Sequence, residues 1–107
     1  MHEELYEKFR LENGIRYGLL NKEFLVFFQP KVTIETRRTS SLEALIRWNR
    51  GGKLISPVQF IPIAEESSLI DDLCMFVLEV TCAFLVTMQQ HGVIVPVSVN
   101  ISPRQFH

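Results

Sequence analysis

Around Gly92 the spacing of the apolar residues changes from a helical period to a period of two. In residues 70–90 the apolar side chains recur every three or four positions, which is typical of an amphipathic helix. In residues 93–102 valine and isoleucine alternate with serine and asparagine, which indicates a strand with one apolar and one small polar face. The chain is therefore expected to combine helices with strands, as an α/β fold does.

The first forty residues predict a helix followed by a strand. Residues 5–21 carry loosely spaced apolar residues between charges, although Gly14 and Gly18 weaken the prediction of a helix there. Residues 24–32 are aromatic and β-branched, so we expect a buried strand. The polar stretch 33–40 is expected to be a turn or a hairpin connection.

A short helix is predicted to begin after Ser56. Ser56 can cap this helix, Pro57 suits its first turn, and the side chain of Gln59 can reach back as in a capping box. The helix is expected to end near Glu66.

Residues 41–48 fit two kinds of structure. Three apolar residues in this segment are spaced as on a helix. Strict alternation fits equally well, because it puts the even-numbered residues, all apolar, on one face and Glu43, Leu45 and Arg47 on the other. Periodicity alone does not separate the two interpretations.

Composition limits the class of protein. The 107 residues are 47% hydrophobic and 21% charged with a net charge of −1, which is typical of a soluble globular chain and excludes a disordered tail. The near-neutral charge argues against a general nucleic-acid binder, and no apolar run reaches the roughly 18 residues of a membrane span. One domain is the most that this length supports, and a whole (β/α)8 barrel needs about 250 residues.

Cys74 and Cys82 lie about 12 Å apart on one predicted helix, too far for a disulfide, so we expect buried thiols in a reducing cytoplasm.

Polar residues recur late in the predicted strands. If 41–48 is a strand, then Gln29, Glu43, Arg47 and Asn100 gather at one end of a sheet or barrel. Glu43 would then need a cation, either Arg47 or a metal, and a carboxylate with an amide oxygen suits Mg²⁺ or Mn²⁺, while arginine suits phosphate. If 41–48 is a helix, Glu43 and Arg47 form an exposed ion pair and Asn100 is a turn residue at a strand end.

Five segments, in order along the chain, resemble the EAL domain family, the cyclic di-GMP phosphodiesterases of bacterial signalling. The resemblance runs from about Arg10 to Phe106. The segments are Glu23-Phe24 with Phe28-Gln29-Pro30, Glu43-Ala44-Leu45-Ile46-Arg47-Trp48, Ile55-Ser56-Pro57 with Phe60-Ile61-Pro62-Ile63-Ala64-Glu65, Val77-Leu78 with Cys82, and Val97-Ser98-Val99-Asn100-Ile101-Ser102 with Gln105-Phe106. The second segment is similar to the EALxRW signature of the family.

The resemblance implies an α/β fold, namely an incomplete TIM-like (β/α) barrel of the EAL type. The chain would form about its first half, with a first strand antiparallel to the others, which favours a strand at 41–48. Residues 1–22 are then a connector or first helix, and residues 23–107 are the N-terminal portion of an EAL domain.

The resemblance also implies a reaction. Glu43 matches a ligand of a catalytic divalent metal, and Asn100 matches a second ligand from a later strand. Gln29, Leu45 and Arg47 match positions that contact the cyclic dinucleotide. The complete domain would hydrolyse one phosphodiester bond of cyclic di-GMP, giving pGpG, with two Mg²⁺ or Mn²⁺ ions.

Several positions depart from the family pattern, namely Thr36-Arg37, Ser68 and Phe76, but none removes a chemical group. The later family segments, with further acidic ligands and a lysine, do not occur in these 107 residues. We therefore expect that this chain alone does not hydrolyse cyclic di-GMP. The alternatives are a degenerate EAL-like module that binds cyclic di-GMP or a protein partner without catalysis, and a natural truncated product that acts through protein contacts.

An open half-barrel leaves strand edges unpaired. We therefore expect a homodimer or a swapped assembly that covers the edge strand at residues 95–102. Neither a nucleic-acid polymer nor a membrane segment is expected, and the expected location is the cytoplasm.

Overall fold

A computed structural model describes residues 2–32 and 39–101, with residues 39 and 40 described by their backbone only. The helices and strands in these ranges follow the predicted order, with one short strand added. They are α1 (His2–Leu20), β1 (Phe24–Val32), β2 (Thr39–Arg50), β3 (Lys53–Ile55), α2 (Pro57–Glu66), α3 (Leu69–Gln90) and β4 (Val97–Val99). Among them, no helix combines the length and the hydropathy that crossing a bilayer requires.

Strand β2 is the centre of the sheet. Along one edge it pairs antiparallel with the whole of β1, from Phe24 opposite Trp48 to Val32 opposite Thr39. Its other edge is shared by β3, which is antiparallel, and β4, which is parallel. Residues 41–48 therefore form a strand, and the helical interpretation of this segment is wrong.

The connection from β2 to β3 is a two-residue turn. Gly51 and Gly52 both have positive φ, at 59° and 86°, which glycine adopts without the strain that a Cβ would cause. The sequence predicted a loop at residues 50–53 and missed β3, because three residues are too few to show a period.

The helices cover one face of this sheet. Ala44, Ile46 and Trp48, on alternate positions of β2, are buried beneath them, and Trp48 has no exposed surface. The Trp48 ring lies 5.2 Å from that of Phe24 and 5.5 Å, edge on, from that of Phe60 in α2. Other buried members of this core are Ile15, Ala64, Leu69, Ile70, Leu73 and Val77.

The ends of α2 and α3 follow from local hydrogen bonds. The Ser56 hydroxyl accepts from the Val58 N–H at 3.3 Å, so the predicted cap is confirmed. Gln59 instead bonds through its own N–H to the Ser56 carbonyl, and in the described structure its side chain does not close the expected capping box. At the end of α3 the Val93 N–H reaches the Met88 carbonyl at 2.9 Å while Gly92 has a positive φ, which forms a Schellman motif.

Three expectations need correction. Within the described residues 93–101, strand β4 covers only 97–99. It begins after Pro96, which has no N–H to give to the ladder, although its carbonyl accepts from the Leu42 N–H at 2.9 Å. Helix α1 begins at His2, ahead of residue 5. Cys82 is exposed rather than buried, although both cysteines are free as expected. The expectations for residues 33–38 and 102–107 lie outside the described residues.

Candidate functional site

The polar residues predicted from the sequence lie on the sheet face that the helices leave open. Gln29 of β1 is the direct partner of Glu43 of β2, and Glu43 is the direct partner of Ser98 of β4. Residues directly opposite each other on neighbouring strands share a face, with Cα atoms about 4.5–5.5 Å apart in an antiparallel pair. Three strands therefore contribute to a single row, Gln29–Glu43–Ser98, which we call the polar row.

Asn100 lies beyond the end of this row. It comes two residues after Ser98 and one residue after β4 ends, and it is exposed, whereas Val99 between them is partly buried. This alternation places Asn100 on the same face as Ser98. The structure thus places Asn100 just after the strand that pairs with β2, on the face that carries Glu43, as the strand interpretation expected.

Arg47 lies on the same face as Glu43 but further along β2. Four residues of strand separate the two by about 13 Å. The expectation that Arg47 gathers with Glu43 at one end of the sheet and could be its cation is therefore wrong, and the ion pair of the helical interpretation does not form either. The Arg47 Nη1 donates to the Ile46 carbonyl at 2.9 Å, and its Cζ lies 5.7 Å from the centre of the Phe27 ring. These two contacts hold the guanidinium near the sheet with further N–H groups to donate.

The sequence reasoning missed Lys31 as a member of this face. The Lys31 Nζ lies 3.3 Å from the Ser98 Oγ and so connects β1 to β4 across β2. The signal was present, because Lys31 is two residues after Gln29 and alternation puts both on one face. The contact itself joins positions 67 residues apart, which no local pattern reports.

Apolar side chains surround the polar residues. Leu25 and Phe27 of β1 are 41% and 48% exposed, and Leu45 lies opposite Phe27 on the same face. Contiguous exposed apolar residues of this kind can mark an interaction surface. The open face therefore presents a polar row beside an uncovered apolar patch.

The oxygen donors of this face suit a hard divalent cation. Glu43 offers a carboxylate and Asn100 an amide oxygen, and Mg²⁺ is commonly held by one or two carboxylates while it keeps several waters. Among the described residues, however, no group of three or more histidine, cysteine, aspartate or glutamate side chains is placed to hold a metal. These residues therefore fit a partial metal site, with an arginine on the same face for a phosphate.

Comparison with known proteins shows which family and which relatives this sequence resembles. The family model described as EAL domain matches residues 12–107. The Escherichia coli (strain K12) protein named cyclic di-GMP phosphodiesterase PdeR is 36% identical over 106 residues, which are 98% of this chain and 16% of that protein. An uncharacterized signaling protein of Caulobacter vibrioides is 32% identical over 108 residues, covering 100% of this chain and 13% of that protein.

Solved structures agree with the fold. The PaMucR phosphodiesterase in a c-di-GMP complex has a TM-score of 0.79 and 30% identity, over 91% of this chain and 40% of that chain. The Xanthomonas citri FimX EAL domain in complex with c-di-GMP has a TM-score of 0.81 and 26% identity, over 99% of this chain and 41% of that chain. The expected fold class, an incomplete EAL-type barrel with an antiparallel first strand, is confirmed. The chain spans well under a fifth of the curated relatives named above.

Proposed function

This chain belongs to the EAL domain family, and from that membership we propose that it is the N-terminal part of a domain that hydrolyses cyclic di-GMP to pGpG. Residues 23–107 would be the domain portion and residues 1–22 its connector or first helix. The observation that carries the proposal is that Gln29 of β1 and Glu43 of β2 are direct partners on the open face, and that Asn100 follows directly after β4, which pairs with β2. The names of PdeR and of the two complexes support cyclic di-GMP as the substrate.

Each residue of the open face has a proposed role. Glu43 and Asn100 are ligands of a divalent metal, either Mg²⁺ or Mn²⁺, with two such ions in the complete domain. When bound, the metal supplies Lewis acidity at the phosphodiester and at the attacking water. Arg47 contacts a phosphate, since the Phe27 ring and the Ile46 carbonyl restrain it without using all its donors. Gln29 and Leu45 contact the dinucleotide beside it.

This chain alone is proposed to be inactive. Glu43 is the only carboxylate on the described residues of β1, β2 and β4. One carboxylate and one amide are too few ligands for two divalent ions. Each ion takes about six oxygen donors and also needs negatively charged ligands that balance its charge. The same observation favours the second candidate, an EAL-like module that binds cyclic di-GMP or a protein partner without catalysis.

The uncovered face also supports self-association. Leu25 and Phe27 together with the short edge strand β4 are surfaces that a second copy could cover, so we propose a homodimer or a swapped assembly. We further propose a cytoplasmic location, where the exposed Cys82 stays a thiol.

Light scattering of the wild type and Phe27→Lys tests the assembly. Phe9→Lys, at an aromatic residue of α1 that is exposed to a similar degree, is the control. A monomeric wild type contradicts self-association, and a dimer that survives Phe27→Lys contradicts this face.

Binding and turnover are measured together to test the function. Calorimetric titration of the chain with cyclic di-GMP, with Mg²⁺ or Mn²⁺ present, should show binding that Glu43→Gln and Arg47→Gln each weaken about tenfold or more. Glu79→Gln, on the exposed side of α3, is the matched control and should bind as the wild type does. Chromatography should detect no pGpG from the chain alone, and turnover should appear once the remaining part of the domain is supplied.

The outcomes distinguish the candidates. An affinity for cyclic di-GMP that neither Glu43→Gln nor Arg47→Gln changes would contradict the proposed site. Turnover by the chain alone would contradict its inactivity. Binding without turnover, even when the remaining part of the domain is present, would favour the non-catalytic module.

A further inference from the structure

A cleft whose lining includes two arginines opens on the other side of the sheet, between α1 and the turn that joins β2 to β3. It has a volume of about 580 Å³, and its walls include Arg10, Asn13, Tyr17, Glu23 and Arg50. Arg50 and the buried Trp48 occupy even-numbered positions of β2, whereas Glu43 is odd-numbered and faces the other way. Seven residues of strand also separate Arg50 from Glu43 by about 23 Å. The cleft is therefore separate from the polar row.

The guanidinium of Arg50 is fixed in this cleft by its surroundings. Its Cζ lies 5.3 Å from the centre of the Trp48 ring. On the side of α1 it lies against Gly14, where a Cβ would stand 3.1 Å from the same Cζ. Within the described part of the chain, Arg50 forms no side-chain hydrogen bond or ion pair. Its fork of N–H donors is thus held in place with its hydrogen bonds still to be made.

The remaining lining residues favour an anion. Arg10 reaches the cleft from α1 and is held only by an exposed contact with Glu7 at 3.1 Å, which is a weak and salt-screened interaction. Tyr17 adds a hydroxyl and an exposed ring. The one carboxylate of the lining, Glu23, already accepts from the Trp48 Nε1 at 3.1 Å. The lining therefore carries two positive charges and one negative charge, a balance that favours an anion.

From this arrangement we propose that the cleft binds the phosphate group of a small anionic ligand. Arg50 supplies the bidentate contact, because its planar fork matches two phosphate oxygens and its position costs little side-chain entropy on binding. Arg10, which also lines the cleft, adds a second cation. Inorganic phosphate and the phosphate of a nucleotide share this chemistry, and the wall formed by Tyr17 would distinguish them through stacking.

Trp48 provides a direct reporter for this site, since it is the single tryptophan of the chain and lies under Arg50. We would titrate the whole chain with inorganic phosphate, and separately with adenosine 5′-monophosphate, at constant ionic strength, and follow the fluorescence of Trp48. A saturable change is expected with at least one probe. Arg50→Gln should weaken binding about tenfold or more, and Arg10→Gln should weaken it several-fold.

Lys8→Gln is the control, because it removes the same charge from α1 at a residue paired with Glu66. It should bind phosphate as the wild type does. Arg10 lies on the surface, so Arg10→Gln remains informative even if Arg50→Gln fails to fold. Equal affinities for the two probes would identify a site for phosphate alone, and tighter binding of the nucleotide would add a contact to Tyr17. The proposal is overturned if neither probe gives a saturable change, or if Lys8→Gln weakens binding as much as Arg10→Gln does.

Discussion

Gly18 of α1 lies directly against the indole of Trp48: a Cβ at position 18 would stand 3.0 Å from the indole Nε1. It would also stand 3.0 Å from the Phe24 Cε2. A glycine inside a helix ordinarily costs about 0.5–1 kcal/mol relative to alanine. Here that cost permits α1 to approach the sheet closely enough to seal the Trp48 end of the core.

Gly18→Ala should therefore destabilise the protein. Alanine improves the intrinsic helix propensity by about 1 kcal/mol, but forcing a methyl group into this contact costs about 1–3 kcal/mol, so we expect a net loss. Urea unfolding followed by circular dichroism measures the change in the free energy of unfolding. Gly14→Ala is the matched control with a smaller expected loss, because a Cβ there would stand 3.1–3.2 Å from Arg50 and Trp48, slightly further than the 3.0 Å contacts at position 18. A Gly18→Ala variant as stable as the wild type would show that α1 does not pack as described.

The hydrogen bond from the Trp48 indole to Glu23 leads to a second prediction. Glu23→Ala leaves the Nε1–H of a fully buried tryptophan without its acceptor, which should lower the free energy of unfolding by about 1–3 kcal/mol. Glu23→Gln keeps an oxygen acceptor of similar shape and should lose less than about 1 kcal/mol. Chemical unfolding of both variants tests this order, and equal losses would mean that the carboxylate charge, not the acceptor, is what matters.

These two contacts illustrate what the sequence could not supply. The bounds of β1 could be predicted from its aromatic and β-branched residues. The spacing in 41–48 fitted a helix and a strand equally, and only the resemblance to the EAL family favoured the strand. Gly14 and Gly18 argued against a helix because glycine has a low helix propensity. Propensity takes no account of the Trp48 ring, which packs against α1 from the sheet. The predicted length of β4 was wrong because alternation records faces but not hydrogen-bonded partners.

Thr81 gives a prediction of increased stability. Its side chain is 4% exposed, and its Oγ1 has no hydrogen-bond partner in the described structure. Thr81→Val replaces the buried hydroxyl by a methyl group of similar size, so we expect a gain of about 1 kcal/mol in the free energy of unfolding. Thr87→Val is the control, because the Thr87 hydroxyl is exposed and already bonds to the Ala83 carbonyl at 3.1 Å, and it should show no comparable gain. A loss of stability in Thr81→Val would reveal an acceptor for its hydroxyl.

The contact between α1 and the end of α2 predicts a dependence on alkaline pH. A hydrogen bond from the Lys8 Nζ to the Glu66 carboxylate at 2.6 Å, reinforced by their opposite charges, raises the pKa of Lys8 above its ordinary value of 10.5. Because the folded-state pKa is the higher one, the stabilisation is fully present below the ordinary value and disappears as the pH rises through the raised value.

Lys8→Met should therefore have a lower unfolding midpoint than the wild type at neutral pH. The two midpoints should converge above the raised pKa of Lys8. The measurement is the difference in unfolding midpoint between the two proteins across this range, at low salt, since screening weakens an exposed pair. Lys53→Met, at an exposed lysine of β3, should show no such convergence. A constant difference between Lys8→Met and the wild type would exclude the ion pair as its cause.

The membership of the candidate site could be predicted in part, but its arrangement could not. Gln29, Glu43 and Asn100 could be assigned to one face from alternation and from the resemblance to the EAL family. The direct opposition of Gln29 to Glu43 could not, because register depends on a connection whose length the side-chain pattern leaves open. The hydrogen bond from Lys31 to Ser98 could not be predicted either, because the two residues come together only when three strands have assembled.

The two edges of β2 differ in how far along the chain their partners lie. The β1 partner of Glu43 is Gln29, only a hairpin away, whereas the β4 partner is Ser98, on the far side of α2 and α3. Closing the longer loop costs more chain entropy and is slower. During synthesis, Gln29 and Glu43 leave the ribosome long before Asn100, so half of the face can form early. The remaining half must wait for both helices to settle, and until then the edge of β2 is open to neighbouring nascent chains.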